Sequence, residues 1–232
     1  MNWICLKTRP DVTVQTWMAS SAQNNATWDD VLAMNKAIRA LKFHSSVGLT
    51  MLPMDASKCR IVTYTDASFN RHTVKPSLYS ALWFISDLQE DYDYDQNLFI
   101  QDPTAAKRKE ELKMVNGSLV GWRCRVVRRK IDTVMDAETL SIQFGVNGGQ
   151  FLSGGLTEFG FHGPNPGPKP ITLNDNNSTI SHIRSNNKHS NARLNVLWSS
   201  LRTAFTKNVF RLRFICGITV NLSDVFTKSK VI

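Results

Sequence analysis

The chain has 232 residues, 42% of them hydrophobic, with six tryptophans and a formal net charge of +9. That leaves room for one sizeable domain with an appendage, or for two small ones, around a real core. No window of about 18 apolar residues is present, and MNWICLKTRP at the start lacks the apolar stretch of a secretory signal, so no membrane association is expected and the chain is placed inside the cell, in cytoplasm or nucleus. Cys5, Cys59, Cys124 and Cys216 are far apart with no C-x-x-C pair, which disfavours zinc and fits reduced thiols.

The basic charge is clustered. Residues 107–130 hold nine Lys and Arg against Glu110 and Glu111, and residues 184–213 hold seven with no acid. Such clusters fit a polyanion, because a Lys or Arg set on a phosphate displaces a condensed counterion. They also fit a merely soluble basic surface, so charge proposes nucleic acid without deciding it.

In chain order, TWDD at 27–30 is a helix start with Thr27 as cap, and Val31, Met34, Ile38 and Leu41 recur at helical spacing, giving a helix over about 28–43. VGLTMLPMD (47–55) reads as a connector or short strand. IVTYTDASFN (61–70) is a β-branched run that ends on Asp66, and SLYSALWFIS (77–86) is apolar at nearly every position, as in a strand covered on both faces. Residues 88–116 open acidic, turn basic and read as an insertion. Within it DYDYD (91–95) shares residue types with a polymerase Y-x-D-D signature but lacks the adjacent aspartates, and is taken as a solvated acidic loop.

SLVGWRCRVV (118–127) alternates, so Val120, Trp122, Cys124 and Val126 are expected on one face and Arg123 and Arg125 on the other. TVMDAETLSIQF starts a helix at Thr133, which soon meets Gly148, Gly149, Gly154 and Gly155. Each glycine costs a helix about 1 kcal/mol relative to alanine, so this one is broken, short or held by packing. FHGPNPGPKP (161–170) is a loop, and ITLND (171–175) is a short strand delivering Asp175. SNARLNVLWSSLRTAF (190–205) is an amphipathic helix with Leu194, Leu197, Trp198, Leu201 and Phe205 on its stripe. A strand follows with Phe210, Leu212, Phe214 and Cys216 inward and Arg211 and Arg213 outward, and Asp224 stands at a final helix start. Three antiparallel strands followed by βα units predict an α/β fold, a mixed sheet with helices on both sides.

Four acids stand out. Asp66 and Asp175 end strands, Glu138 lies near the start of a helix, and Asp224 begins the last one. In an α/β sheet such positions converge on one crevice. Hard oxygen donors without a His or Cys set suit Mg²⁺ or Mn²⁺, and carboxylates beside basic surfaces suit two-metal phosphodiester hydrolysis. Taken singly each acid has a plainer explanation, as a turn residue or as a favourable charge in a helix's first turn. The five histidines show no metal-ligand spacing; His189 is either a proton shuttle or an ordinary surface residue.

The stretches IVTYTDASFN, LVGWRCRVVRRKIDTVMDAETLS, PITLNDNNSTISHI and FRLRFICGITVNLSDVFTK resemble the successive motifs of a copia-type retrotransposon ribonuclease H. The resemblance rests on Asp66-Ala67, on Trp122 leading to Glu138, on Asp175-Asn176, and on Leu222-Ser223-Asp224 running to Thr227-Lys228. Transposase and integrase cores share the sheet but place their Glu last. WICLKTRPDVTVQTWMAS followed by WDDVLAMNKAIRALK is similar to the end of a copia-type reverse transcriptase. The resemblance thus implies the carboxy-terminal end of a Pol polyprotein, with residues 1–56 a reverse-transcriptase remnant and 57–232 a ribonuclease H-like domain carrying the insertion.

It further implies a ribonuclease H-like five-stranded mixed sheet and cleavage of the RNA strand of RNA–DNA hybrids with two Mg²⁺ ions, or Mn²⁺ in their place. By that resemblance Asp66 bridges both ions, Asp224 completes the site of the ion that activates water, and Glu138 and Asp175 hold the other. Arg123, Arg125, Arg128 and Arg129 are expected to contact the hybrid backbone, and the rest of a reverse transcriptase is a candidate partner. The alternative is a non-catalytic remnant that binds nucleic acid or a protein partner through the inherited fold.

Overall fold

The computed structural model describes residues 2–70, 76–87, 117–128, 130–161, 167–185, 194–215 and 221–227. The expected insertion 88–116 with its acidic run, Arg129, His189 and Cys216 lie outside them. Helices α1 (Asn2–Lys7), α2 (Thr13–Ser21) and α3 (Trp28–Phe43) precede strands β1 (Arg60–Ser68), β2 (Leu78–Ser86) and β3 (Gly117–Val126). Then come α4 (Val134–Glu158), β4 (Ile171–Asn174), α5 (Asn177–Arg184), α6 (Asn195–Thr206), β5 (Arg211–Phe214) and a closing 3-10 helix, Leu222–Phe226. The sheet order is β3-β2-β1-β4-β5, with β1, β2 and β3 antiparallel and β4 and β5 parallel to β1. This is the ribonuclease H-like mixed sheet with helices on both faces.

Alternation along β1 divides the core. Val62 and Tyr64 face one side with Leu82, Trp122 and Leu173, and that side is covered by Val14, Trp17 and Met18 of α2 and by Phe226. The Trp122 indole donates to the Cys5 carbonyl at 2.7 Å, tying the N-terminal helices to β3. Ile61 faces the other side with Ala81, Trp83 and Leu156. Further along that side Ile142 and Val146 of α4 meet Ile180, Ile183, Trp198, Leu201 and Leu212.

Several elements depart from the sequence reading. Strand β3 carries a bulge: Gly121 pairs with Trp83 but Leu119 pairs with Phe84. Leu119 therefore joins Trp122 and Cys124, while Val120 packs on the Trp83 side, opposite to its expected face. An inserted residue inverts the alternation on one side of it. Helices α1, α2 and α5 were not anticipated. α5 begins where the Asn176 side chain accepts from the Thr179 backbone at 2.9 Å, and it buries Ile180 and Ile183. The expected last helix is a single 3-10 segment.

Helix α4 runs unbroken for 25 residues through the glycines. Its start is fixed by a capping box, Thr133 Oγ1 accepting from the Asp136 amide at 3.1 Å and the Asp136 carboxylate accepting from the Thr133 amide at 3.1 Å. Of the three outcomes left open for this stretch, the one realised is packing. Gly145, Gly148 and Gly149 share a face. A β-carbon on Gly145 would run into Thr65 Cγ2 and stand 3.0 Å from Thr63 Cγ2, and one on Gly148 would stand 2.5 Å from Trp83 Cε2. The Trp83 indole donates to the Gly145 carbonyl at 3.0 Å. A bare helix face is what lets α4 lie this close to β1 and β2.

Gly148→Ala is expected to cost about 1–3 kcal/mol of unfolding free energy, because the indole it meets is itself bonded and cannot swing away. Gly154→Ala, with nothing within 4 Å of the added carbon, is expected to gain about 1 kcal/mol. Urea unfolding checks the pair, and effects of the same sign would mean that α4 does not rest on Trp83 as described.

Candidate active site

Parallel pairing of β1 with β4 sets Tyr64 against Leu173, so Asp66 and Asp175 come two residues beyond the same rung. Asp66 is still within β1, opposite Ser80, and Asp175 follows directly on β4. Glu138 arrives from the other direction, as the fifth residue of α4. Asp66 and Glu138 are each 3% exposed, and Asp175 is half-buried. One carboxylate oxygen from each lies within 4.8 Å of the other two. Residues 72 positions apart in one case and 37 in the next thus meet at one end of the central strand.

Asn174 holds this arrangement. Fully buried at the end of β4, its Nδ2 donates to Glu138 Oε2 at 2.9 Å, and it also reaches the Thr65 carbonyl at 3.2 Å and Thr65 Oγ1 at 3.1 Å. Its Oδ1 accepts from the Asn176 amide at 2.9 Å, fixing which way the side-chain amide points. Sequence reasoning did not assign Asn174 a role. The available signal was a polar residue directly before Asp175, at a strand end that had every reason to be apolar.

The closing segment approaches from the opposite face. The Asn221 side chain donates to the Thr65 carbonyl at 3.2 Å, the Ser223 and Ser80 hydroxyls meet at 2.8 Å, and Cys124 Sγ contacts the Phe226 carbonyl at 3.1 Å. Burial pushes the Cys124 thiol up to about 12, so it stays a neutral donor. Held in this way, the segment presents Thr227 Oγ1 to Asp66 Oδ2 as a hydrogen-bond donor. Asp224, the fourth acid singled out in the sequence, is half-buried on the same segment and lies outside the group of three.

Of the four arginines, Arg125 is half-buried with its guanidinium 5.0 Å from the Phe144 ring, and Arg123 and Arg128 are exposed. Pairing places Arg125 across from Tyr79 and Arg123 across from Ala81.

Crowding sets the electrostatics. The Glu138 carboxyl is raised well above its usual range, first by burial and then by the charge of Asp66, with Asp175 adding to it; hydrogen bonds from Asn174 and the Ala67 backbone oppose the rise. Three carboxylates converging fit a divalent cation of the oxygen-seeking kind, whose charge would oppose the rise at Glu138.

No protein-family model matches the chain and no curated protein does. Solved structures do. The N-terminal ribonuclease H domain of a Mycobacterium tuberculosis protein is 12% identical at a TM-score of 0.43, covering 73% of this chain and 91% of that one. A ribonuclease H1 isolated from compost, in complex with an RNA/DNA hybrid, is 10% identical at 0.43, covering 72% and 93%. A foamy viral protease–reverse transcriptase, also with an RNA/DNA hybrid, is 11% identical at 0.41, covering 77% of this chain and 20% of that one.

A raised folded-state pKa means that Glu138 contributes stability fully below its ordinary value of 4.5 and loses that contribution as pH climbs toward the folded value. In chelator-treated protein, Glu138→Gln is therefore expected to gain on wild type as pH rises from about 4.5 to 8. Chemical unfolding at a series of pH values reads the difference. A difference that stays flat in pH would show that the carboxyl is not held protonated.

Proposed function

We propose that the chain is a divalent-metal-dependent endonuclease that hydrolyses the RNA strand of RNA–DNA hybrids. The observation that carries this reading is the meeting of Asp66, Glu138 and Asp175 at the end of the central strand. A bound pair of Mg²⁺ or Mn²⁺ ions would supply charge neutralisation at the scissile phosphate and a water of lowered pKa. Asp66, Glu138 and Asp175 would hold them, with Asp224 brought in from the closing segment. Asn174 keeps Glu138 aimed into the site and so acts as a positioning residue. Arg123, Arg125, Arg128 and Arg129 would bind the backbone of the hybrid beside it. The quoted motifs support an origin at the carboxy-terminal end of a copia-type Pol polyprotein, with 1–56 a remnant of its reverse transcriptase and the rest of that enzyme a candidate partner. Among the described residues no helix is long and apolar enough to cross a membrane.

One observation favours the second reading, a non-catalytic nucleic-acid-binding or partner-binding module. Asp224 stands outside the acid group while Thr227 of the same segment bonds Asp66. A site with three of its four ligands assembled would bind an ion less firmly and turn over slowly or not at all.

The decisive measurement uses a hybrid labelled on its RNA strand. Wild type is expected to cut it with Mg²⁺ or Mn²⁺, Asp66→Asn to fall to background at an unchanged melting temperature, and Asn174→Ala to lose roughly 10–100-fold, as removal of an outer-shell partner does. Hybrid that is bound but never cut with either ion sinks the enzymatic reading and leaves the binding module.

A further inference from the structure

A cavity of about 370 Å³ opens where β2 begins and β3 ends, lined among the described residues by Trp17, Tyr79, Leu140, Arg125 and Arg128 and by two valines at the end of β3. Its position relative to the acids follows from the register. Tyr79 pairs with Ala67, the neighbour of Asp66, and across the next ladder with Arg125. Leu140 lies two residues beyond Glu138 on α4. The volume falls within the roughly 300–1,000 Å³ of small-ligand clefts.

The lining has a definite chemical character. Among the described residues it pairs two aromatic rings with two guanidinium groups and includes no acid. Arg125 is held in place, with its guanidinium 5.0 Å from the Phe144 ring that Tyr79 meets edge-on at 5.3 Å. Trp17 comes from α2, which packs on the face of the sheet away from α4. The cavity therefore depends on the N-terminal helices being in place.

The geometry points to a subsite for one unpaired nucleotide of a strand that continues past the three acids, with its base against the aromatic lining and a phosphate on Arg125 and Arg128. Aromatic rings take any base by its π-face, and guanidinium groups take phosphate. This rests on the nucleic-acid part of the proposed function but asks nothing of hydrolysis. The N-terminal helices then contribute to substrate binding as well as to the core.

Fluorescence anisotropy of a dye-labelled RNA–DNA hybrid carrying a single-stranded overhang, in EDTA where no cutting occurs, tests it on the full chain. Arg128→Ala is expected to weaken binding about five- to tenfold and to lower the slope of log affinity against log salt by about 1. Arg39→Ala, the same charge loss on an exposed position of α3, is expected to stay within about twofold, since only a phosphate-contacting cation moves the slope. Trp17→Leu, with a wild-type melting curve, is expected to lose roughly tenfold at an unchanged salt slope, and to leave binding of heparin, which has no bases, as it was. Equal effects of Arg128→Ala and Arg39→Ala overturn the subsite, as does a folded Trp17→Leu that binds hybrid normally or loses heparin equally. Should Trp17→Leu fail to fold, the arginine pair decides alone. Hydrolysis lost with these results intact would overturn the enzymatic reading and leave the subsite; the converse holds equally.

Discussion

Helix α4 has to lie directly on the side chains of Thr63, Thr65 and Trp83 of β1 and β2, and most of the site is arranged around that closeness. Gly145 and Gly148 give it room, and the Trp83 indole, bonded to the Gly145 carbonyl at 3.0 Å, fixes the height at which the helix rests. Glu138 lies seven residues toward the N-terminus, about 10 Å along the axis at 1.5 Å per residue. A rigid helix carries any lift or tilt at the glycines to that carboxylate. The bond from Asn174 to Glu138, at 2.9 Å, has little slack to absorb it. Glycine is a poor helix former, so a sequence that places three on one face has exchanged local propensity for approach.

Behind the acids the layers are joined by small polar side chains and not by bulk. Ser141 of α4 donates to the Ser80 carbonyl at 3.1 Å, Ser80 meets Ser223 of the closing segment, and Thr65 serves Asn174 on one side and Asn221 on the other. Each such bond is worth only about 1 kcal/mol net, but leaving its partner buried and unpaired costs about 1–3 kcal/mol. The network therefore does little to raise stability overall and much to exclude other alignments of the same layers. That is the property a site built from three distant segments requires.

Much of this was legible in the sequence where one physical signal dominated. The β-branched run of β1 and the apolar run of β2 marked the centre of the sheet, and strand ends marked Asp66 and Asp175. The 28–43 helix followed from its capping box, which the structure shows closed between Thr27 and Asp30. What escaped depended on two signals competing or on partners far away in sequence. The β3 bulge moves Val120 to the other face without any glycine or proline at the residue itself. α2 buries Val14 and half-buries Trp17 and Met18 only because β3 is there to receive them, so its 9 residues carry little pattern of their own. The glycine run read as a threat to α4 until its neighbours, Trp83 and Thr65, were known. Asn174 likewise has its partners in β1 and α4, far from it in sequence.

The acid group also shows what the fold gives up for its site. Burial and the charge of Asp66 disfavour the ionised form of Glu138, so a charge there is an unfavourable interaction at the end of the central strand. In a chain of net charge +9 the three acids are a local concentration of negative charge at the end of the central strand. The Arg125 guanidinium lies over the Phe144 ring. The aromatic packing that seats α4 thus also positions a cationic side chain that lines the cavity.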